Sequence, residues 1–298
     1  MINESPVPFF PESRPLILED KPLLDSLFAS LQPRISEMTF AGLYLFRNAH
    51  GYRLTQLGDS LVVLGRGYDG AEYFMPPLSG GVSASLARLF AAGLQLYGAD
   101  ELFVSRYLLS MNLQLKEDRD SFDYLYLRKD LAELPGNRYH KKNNRINYFT
   151  KRYSFTVEVY QEGHLSACLA LLAEWQRVRG EGGSRSLTLE SEATAEALRL
   201  ASLLGIEGVV VHAGGRVVAF ALGERLNDET SVCHFEKADP FIEGASQLVD
   251  REFNRLHFTG CTWVNREQDL GESGLRSAKL SYHPIELVKK YRASMVFD

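Results

Sequence analysis

The sequence is poor in the residues that carry redox and metal chemistry. Its 298 residues include three cysteines, Cys168, Cys233 and Cys261, with no close pair among them. That excludes a zinc knuckle, a CxxC redox motif and a disulfide scaffold, and it suits buried thiols in a reducing cytoplasm. Long apolar runs are missing too. The longest beside an expected helix, Ala167 to Ala173, is far short of the roughly 20 residues that span a bilayer. No HExxH, GxSxG or Walker-A pattern occurs, which excludes the usual zinc protease, serine hydrolase and P-loop signatures. The stretch Asn3-Glu4-Ser5-Pro6-Val7-Pro8 has neither a basic start nor an apolar core, which argues against a secretory signal. The seven histidines are scattered. Only His212 and His234 fall on expected strands, and satisfied core histidines explain them better than a metal pair. The expectation is a cytoplasmic protein with no integral membrane segment, no metal and no tightly bound cofactor.

What is present is a globular balance: 45% hydrophobic and 24% charged residues, enough for two domains at this length. Charge is unevenly placed. Six basic side chains (Arg138, Lys141, Lys142, Arg145, Lys151 and Arg152) fall in a segment with no acid between Glu133 and Glu158. The rest of the chain carries 27 basic and 38 acidic residues, a net of −11 against −5 for the whole. Such a block attracts an anionic partner whatever the distant net charge. A solvated helix face, or an ion-pair belt with Glu117, Asp118, Asp120 and Asp123, explains it equally well.

Prolines at 6, 8, 11, 15 and 22 predict an extended N-terminal arm. A short helix is expected over Leu23–Leu31, strands over Phe40–Phe46, Gly51–Leu57 and Leu61–Leu64, and a helix over Ser83–Tyr97. Leu102–Leu109 and Tyr124–Leu127 complete a mixed half. From Phe155 the expected order is a strand (Thr156–Tyr160), a helix (His164–Arg179) ending at Gly180–Gly183, and a helix (Ser191–Leu203). Strands Val209–His212, Arg216–Leu222 and Thr230–Phe235 follow, the first two around the hairpin signal Ala213-Gly214-Gly215. A helix (Gly244–Phe258), a strand (Thr262–Asn265) and a short helix (Pro284–Tyr291) complete the chain. Two helices, a three-strand antiparallel meander, a helix and a strand form the element order of a GNAT-type N-acyltransferase.

Three motifs are distinctive: Gly136-Asn137-Arg138-Tyr139-His140-Lys141-Lys142, His234-Phe235-Glu236-Lys237-Ala238, and Trp263-Val264-Asn265-Arg266-Glu267-Gln268-Asp269-Leu270-Gly271 with Gly274-Leu275-Arg276 and Lys279-Leu280-Ser281-Tyr282. Together, over nearly the whole chain, they resemble a bacterial family of uncharacterised soluble proteins related to the C-terminal domain of phosphatidylglycerol lysyltransferases. The resemblance implies an α/β fold of mixed sheets, with two GNAT-like domains in tandem. The expected division is residues 1–135, a basic linker helix at 136–154, and residues 155–298. Peptidoglycan-bridge aminoacyltransferases, which take an amino acid from charged tRNA, use the same arrangement. The lipid enzyme's transmembrane helices have no counterpart here, and its catalytic residues do not transfer position by position.

Acyl transfer needs a base, a group for the developing oxyanion and a hold on the donor's anionic carrier. Charges at strand ends are the natural place to look. Glu236 and Glu267 are candidate bases, and Lys279 and Tyr282 candidate catalytic donors. Lys237, Asn265, Arg266, Asp269 and Arg276 are candidate substrate-binding residues. A buried ion-pair network tying down a loop would look the same. Arg138, His140, Lys141, Lys142 and Arg145, interleaved with Tyr139, Tyr148, Phe149 and Tyr153, are candidates for holding a tRNA acceptor end; aromatics packed as core are the other reading. Acyl-CoA enzymes of this fold cradle pyrophosphate at a helix N-terminus. Here that place reads Phe241-Ile242-Glu243-Gly244-Ala245-Ser246, without the leading Arg or Gln and with a repelling Glu243. The formal match Arg177-Val178-Arg179-Gly180-Glu181-Gly182 ends a helix instead of opening one.

The expected activity is transfer of an aminoacyl group from aminoacyl-tRNA to an amine or hydroxyl: a lipid headgroup, a peptide or a small molecule. A non-catalytic module binding RNA or a phosphorylated metabolite, and an acyl-CoA-dependent N-acyltransferase, are the alternatives.

Overall fold

The computed structural model describes residues 6–179 and 185–296. Strand β1 (Arg14–Pro15) is followed by helices α1 (Lys21–Leu31), α2 (Phe40–Leu45) and α3 (Arg47–His50). Strands β2 (Arg53–Leu57), β3 (Ser60–Arg66) and β4 (Glu72–Phe74), helix α4 (Val82–Ala91), strand β5 (Gln95–Ala99), the turn α5 (Glu101–Phe103) and strand β6 (Leu113–Glu117) come next. Strand β7 (Asp123–Leu127) leads through α6 (Arg128–Glu133) and α7 (His140–Arg152) to β8 (Phe155–Val159), α8 (Leu165–Arg179) and α9 (Arg185–Leu204). Then follow β9 (Glu207–Ala213), β10 (Arg216–Arg225), β11 (Thr230–Ala238), α10 (Ala245–Leu256), β12 (Trp263–Asn265) and α11 (Ser273–Leu280). The last strands are β13 (Glu286–Val288) and β14 (Tyr291–Met295).

The elements divide into two compact units. Unit 1 holds Met1–Asp123, Glu267–Arg276 and Leu287–Asp298; unit 2 holds Tyr124–Arg266 and Ser277–Glu286. The boundary therefore falls near residue 123 rather than at 135. Helix α7 is not a linker, because it packs on α10 inside unit 2. The later return of the chain to unit 1 is set by strand pairing between residues far apart in sequence.

In unit 1 the sheet order is β1-β2-β3-β4-β5-β14-β6. Its core gathers Phe74, Leu86, Phe90, Leu96 and Ala293. Three expectations change here. Phe40–Phe46 is helical, opened by Thr39, whose hydroxyl accepts from the Gly42 amide at 2.9 Å. The helix expected over Ser83–Tyr97 stops at Ala91, just before Gly93 at φ +82, and Gln95 begins a strand. The expected last helix is two strands, β13 and β14, the latter antiparallel to both β5 and β6. Just before β14, Lys290 is fully buried, with its ammonium 2.7 Å from Asp123 and 2.6 Å from Glu37. Ser36 donates to Asp123 through its amide and hydroxyl, and Tyr97 donates to Glu37 at 3.0 Å.

The sheet order of the second unit is β13-β7-β12-β11-β10-β9-β8. The order expected from Phe155 onward is present: strand, two helices, antiparallel meander, helix, strand. Gly180–Gly183, expected to end α8, lie outside the described residues. Gly214 and Gly215 both take positive φ between β9 and β10, as a two-residue hairpin requires. Strand β10 is buried along Val217–Leu222 because α8 and α10 both pack against it, which explains its unbroken apolar run. Strand β11 bulges at His234, where the register with β10 shifts beside Gly223. It pairs with β12 in parallel only over Thr230–Val232 and Trp263–Asn265. Beyond Val232 the two strands part, and Glu236 lies on the free stretch of β11.

Candidate active site

The chemistry of unit 2 collects where β11 and β12 part. Arg266, the residue after β12, reaches two acids: Glu236 at 2.7 Å and Asp250, on α10, at 3.1 Å. Glu236 also accepts from the Ser246 hydroxyl at 2.7 Å. Asp250 is almost fully buried beside the Tyr282 phenol. Two carboxylates thus share one guanidinium in a largely dry place, and one of them must hold its proton more tightly. Burial pushes Asp250 up to about 6, against the pull of Arg266. Burial alone would lower Arg266, but Asp250 and Glu236 outweigh it and hold the guanidinium well above its ordinary value. Tyr282 is raised well above 10 by burial and by the same two acids.

Helix α7 supplies the remaining charge. Tyr139, just before it, with Lys142, Ile146 and Phe149 within it, follows the three- and four-residue steps of one face. Tyr139, Ile146 and Phe149 are buried core. Lys142 sits on that apolar stripe. Its ammonium donates to the Ser281 hydroxyl at 2.6 Å and lies 3.8 Å from the centre of the Tyr282 ring. The loop that presents these partners is pinned by two phenols: Tyr126 donates to the Lys279 carbonyl at 2.8 Å and Tyr139 to the Tyr282 carbonyl at 3.0 Å. Lys279 donates to the Arg266 carbonyl, fixing the end of β12. Burial, with Arg266 acting in the same sense, brings Lys142 down to about 8, and Asp250 and Glu236 oppose that fall.

Of the residues singled out in the sequence, Glu236, Arg266, Lys279, Tyr282 and Lys142 therefore meet in unit 2. Asn265 is buried at the end of β12. Lys237 points to the opposite face of β11 from Glu236, as strand alternation demands. There it pairs with Glu190 at 2.5 Å and lies 4.0 Å over Trp175, so its charge is matched inside the fold. Glu267 belongs to unit 1 and takes φ +56. Asp269 and Arg276, also in unit 1, bind each other at 2.8 and 3.0 Å. Asp269 further accepts from Arg119, and Arg276 reaches Asp120 at 2.7 Å. These bonds form an ion-pair network that ties the loop to Arg119 and Asp120.

The basic block divides as well. Lys141 and Arg145 are exposed, while Lys142 turns inward. Arg138 pairs with Asp130, and His140 hydrogen-bonds Asn144 at 2.9 Å. Tyr139 and Phe149 are core and unavailable to stack on bases, whereas Tyr148 is exposed under the Arg152 guanidinium, 3.5 Å from its ring centre. Asp250 was missed in the sequence. The signal was present: a charge among Leu248, Val249 and Phe253 on the buried face of an amphipathic helix.

Glu158, His164 and His212 bring ligand-type atoms within 4.8 Å of one another. However, His164 Nδ1 accepts the Gln161 amide hydrogen at 3.0 Å, so its neutral ring carries the proton on Nε2 and donates it to Glu158 at 3.2 Å. A metal would need that Nε2 lone pair, so the donor set suits a hydrogen bond better than an ion. No helix among the described residues is long and apolar enough to cross a membrane.

Comparison with known proteins places this geometry. A conserved protein of unknown function from Bacteroides thetaiotaomicron is 30% identical, with 95% of this chain and 99% of that one covered at a TM-score of 0.88. The C-terminal domain of an Agrobacterium fabrum protein assigned to the lysylphosphatidylglycerol synthetases is 12% identical, with 94% and 92% covered at 0.63. A tandem GNAT protein from the clavulanic acid biosynthesis pathway is 11% identical, with 96% and 99% covered at 0.51. These likenesses show the fold, two GNAT-like α/β sheets in tandem. An uncharacterised protein of Mycoplasmoides gallisepticum is 21% identical over 178 residues, 59% of this chain, and the match spans 57% of that protein's length. The family described as phosphatidylglycerol lysyltransferase, C-terminal, matches residues 28–294, a span that contains every residue of the cluster, and the chain belongs to that family.

Proposed function

We propose that unit 2 transfers an aminoacyl group from aminoacyl-tRNA to an amine or hydroxyl acceptor: a lipid headgroup, a peptide or a small amine. The observation that carries this reading is the carboxylate pair, Glu236 and Asp250, astride Arg266 where β11 and β12 part. A carboxylate poised near neutrality can take the proton that an attacking amine must lose. Asp250 is the better candidate for that step, with Glu236 and Arg266 setting its charge environment.

Helix α7 supports aminoacyl-tRNA as the donor. Its exposed face carries Lys141, Arg145, Lys151 and Arg152 with Tyr148, and such a face suits the phosphates and bases of an RNA end. The place where acyl-CoA enzymes seat pyrophosphate is less favourable here. Gly244, at φ +91, opens α10, and a Cβ on it would lie 2.2 Å from the Arg145 carbonyl oxygen. The backbone of α7 therefore lies against the start of α10, with the acid Glu243 beside it.

The test is binding of charged and uncharged tRNA at two salt concentrations, with Lys141→Glu/Arg145→Glu alongside, followed by transfer of labelled amino acid to acceptor. Salt-sensitive binding lost in the variant, a preference for charged tRNA, and transfer abolished by Asp250→Asn are the expected results. Binding without transfer to any acceptor would leave a non-catalytic RNA-binding module. No tRNA binding at low salt, with CoA esters bound instead, would hand the donor role to acyl-CoA.

A further inference from the structure

Lys142 lies half-buried where a helix of this kind normally places an apolar residue, between Tyr139 and Ile146 on the inward stripe of α7. Burying an ammonium is costly unless a charge or several hydrogen bonds compensate it. Among the described residues, however, Lys142 makes no ion pair within 4.0 Å; its partners are one hydroxyl, Ser281, and the face of Tyr282. An ammonium has three donors, so two are left over. The charged groups that act on it are Asp250 and Glu236, Arg266, and Arg145 on its own helix. Arg266 is held from two sides by carboxylates, which leaves Lys142 as the cation of the cluster with donors to spare.

We infer that Lys142 is the catalytic acid that protonates the leaving oxygen during acyl transfer. This rests on the transferase reading above. The acceptor nitrogen or oxygen attacks the ester carbonyl carbon, so a C–N or C–O bond forms and the C–O bond to the ribose oxygen breaks. The proton lost by the acceptor passes to the Asp250 carboxylate. The electron pair left on the ribose oxygen takes a proton from the Lys142 ammonium. Afterwards the carboxyl returns its proton, through solvent, to the amine, and both groups regain their starting state. Partial burial without a paired acid, with Arg266 nearby, makes this ammonium readier to give up a proton than an exposed lysine. The pinned loop at Lys279 to Tyr282 keeps it aimed.

Leaving-group dependence tests this. Wild type, Lys142→Met and Lys142→Arg are compared with aminoacyl-tRNA, whose ribose oxygen must be protonated to leave. The same amino acids as p-nitrophenyl esters, whose leaving group needs no acid, are the second donor. The acceptor panel is phosphatidylglycerol vesicles, an alanyl peptide and methylamine, and melting curves confirm folding. Lys142→Met is expected to lose about 100-fold or more with aminoacyl-tRNA and less than about tenfold with the activated esters. Lys142→Arg, which keeps the charge but not the releasable proton, should lose the aminoacyl-tRNA reaction while tRNA binding stays within about threefold, the charge being retained. Equal losses of Lys142→Met on both donors would overturn the acid role alone. A wild type that turns over neither donor with any acceptor would overturn the transferase reading itself.

Discussion

Two lysines, Lys290 fully buried in unit 1 and Lys142 half-buried in unit 2, are treated in opposite ways. Lys290 in unit 1 has two carboxylates within 2.7 Å, and these in turn are satisfied by Ser36 and Tyr97. Burial works to lower its affinity for protons, but Asp123 and Glu37 more than compensate, so it holds its proton more tightly than an exposed lysine. Lys142 in unit 2 has a hydroxyl and a ring instead, and it falls to about 8. Identical side chains therefore serve as a lock in one unit and as a reactive group in the other. Pairing, more than burial, makes the difference.

The comparison can be broken most forcefully at its structural end. Lys290→Met leaves Asp123 and Glu37 facing each other in the interior and should cost roughly 3–5 kcal/mol, read from denaturant midpoints. Lys142→Met removes a charge that has no acid partner and should change stability by less than about 1 kcal/mol. Similar losses in the two variants would dissolve the distinction. Next in size, Gly244→Ala forces a Cβ against the Arg145 carbonyl at a positive φ and should cost about 2–3 kcal/mol. A neutral result would mean that α7 and α10 can separate easily.

The pH dependence sharpens the contrast further. Turnover should rise as pH passes through about 6, where Asp250 loses its proton, and fall above about 8, where Lys142 does. Asp250→Asn should remove the acid limb with the activity it limits, and the residual aminoacyl-tRNA activity of Lys142→Met should lack the alkaline limb. Stability carries the same signature. The folded state holds the Asp250 proton more tightly than the unfolded chain does, so its contribution is full below the ordinary value of 3.8 and is lost as pH rises through about 6. Melting curves of wild type and Asp250→Asn should diverge across that window and run parallel above it. The smallest effect is expected on the exposed face: Lys141→Glu/Arg145→Glu should stay within about 0.5 kcal/mol of wild type, however strongly it affects RNA binding.

Much of unit 2 was legible because its signals are local. The hairpin at Gly214-Gly215, the helices over Leu165–Arg179 and Arg185–Leu204, and the charges of the motif after β12 can all be read within short windows. Unit 1 was harder. Phe40–Phe46 is almost wholly apolar, so periodicity could not separate strand from helix, and only the Thr39 cap decides it. Strand β14 was hidden because its partners β5 and β6 lie far away in sequence. Within the site, Glu236 and Arg266 announced themselves by motif. Asp250 and the inward turn of Lys142 required reading charges against helix faces, and the matched pairs at Asp269 and Lys237 could not be distinguished from reactive groups before their partners were seen.

The placement of β14 between β5 and β6 has a consequence for biosynthesis. The strand that joins β6 to the rest of the first sheet, and the lysine that neutralises its buried acids, are supplied by residues 290–295, which leave the ribosome only after nearly all of unit 2 has been made. The early part of the chain must therefore wait with an unfilled gap between two strands, exposing edges that invite wrong pairing. The later unit, whose meander and helices are contiguous, can complete itself first. A fragment cut at residue 123 would keep most of the first sheet's sequence and lack the strand that joins β6 to the others.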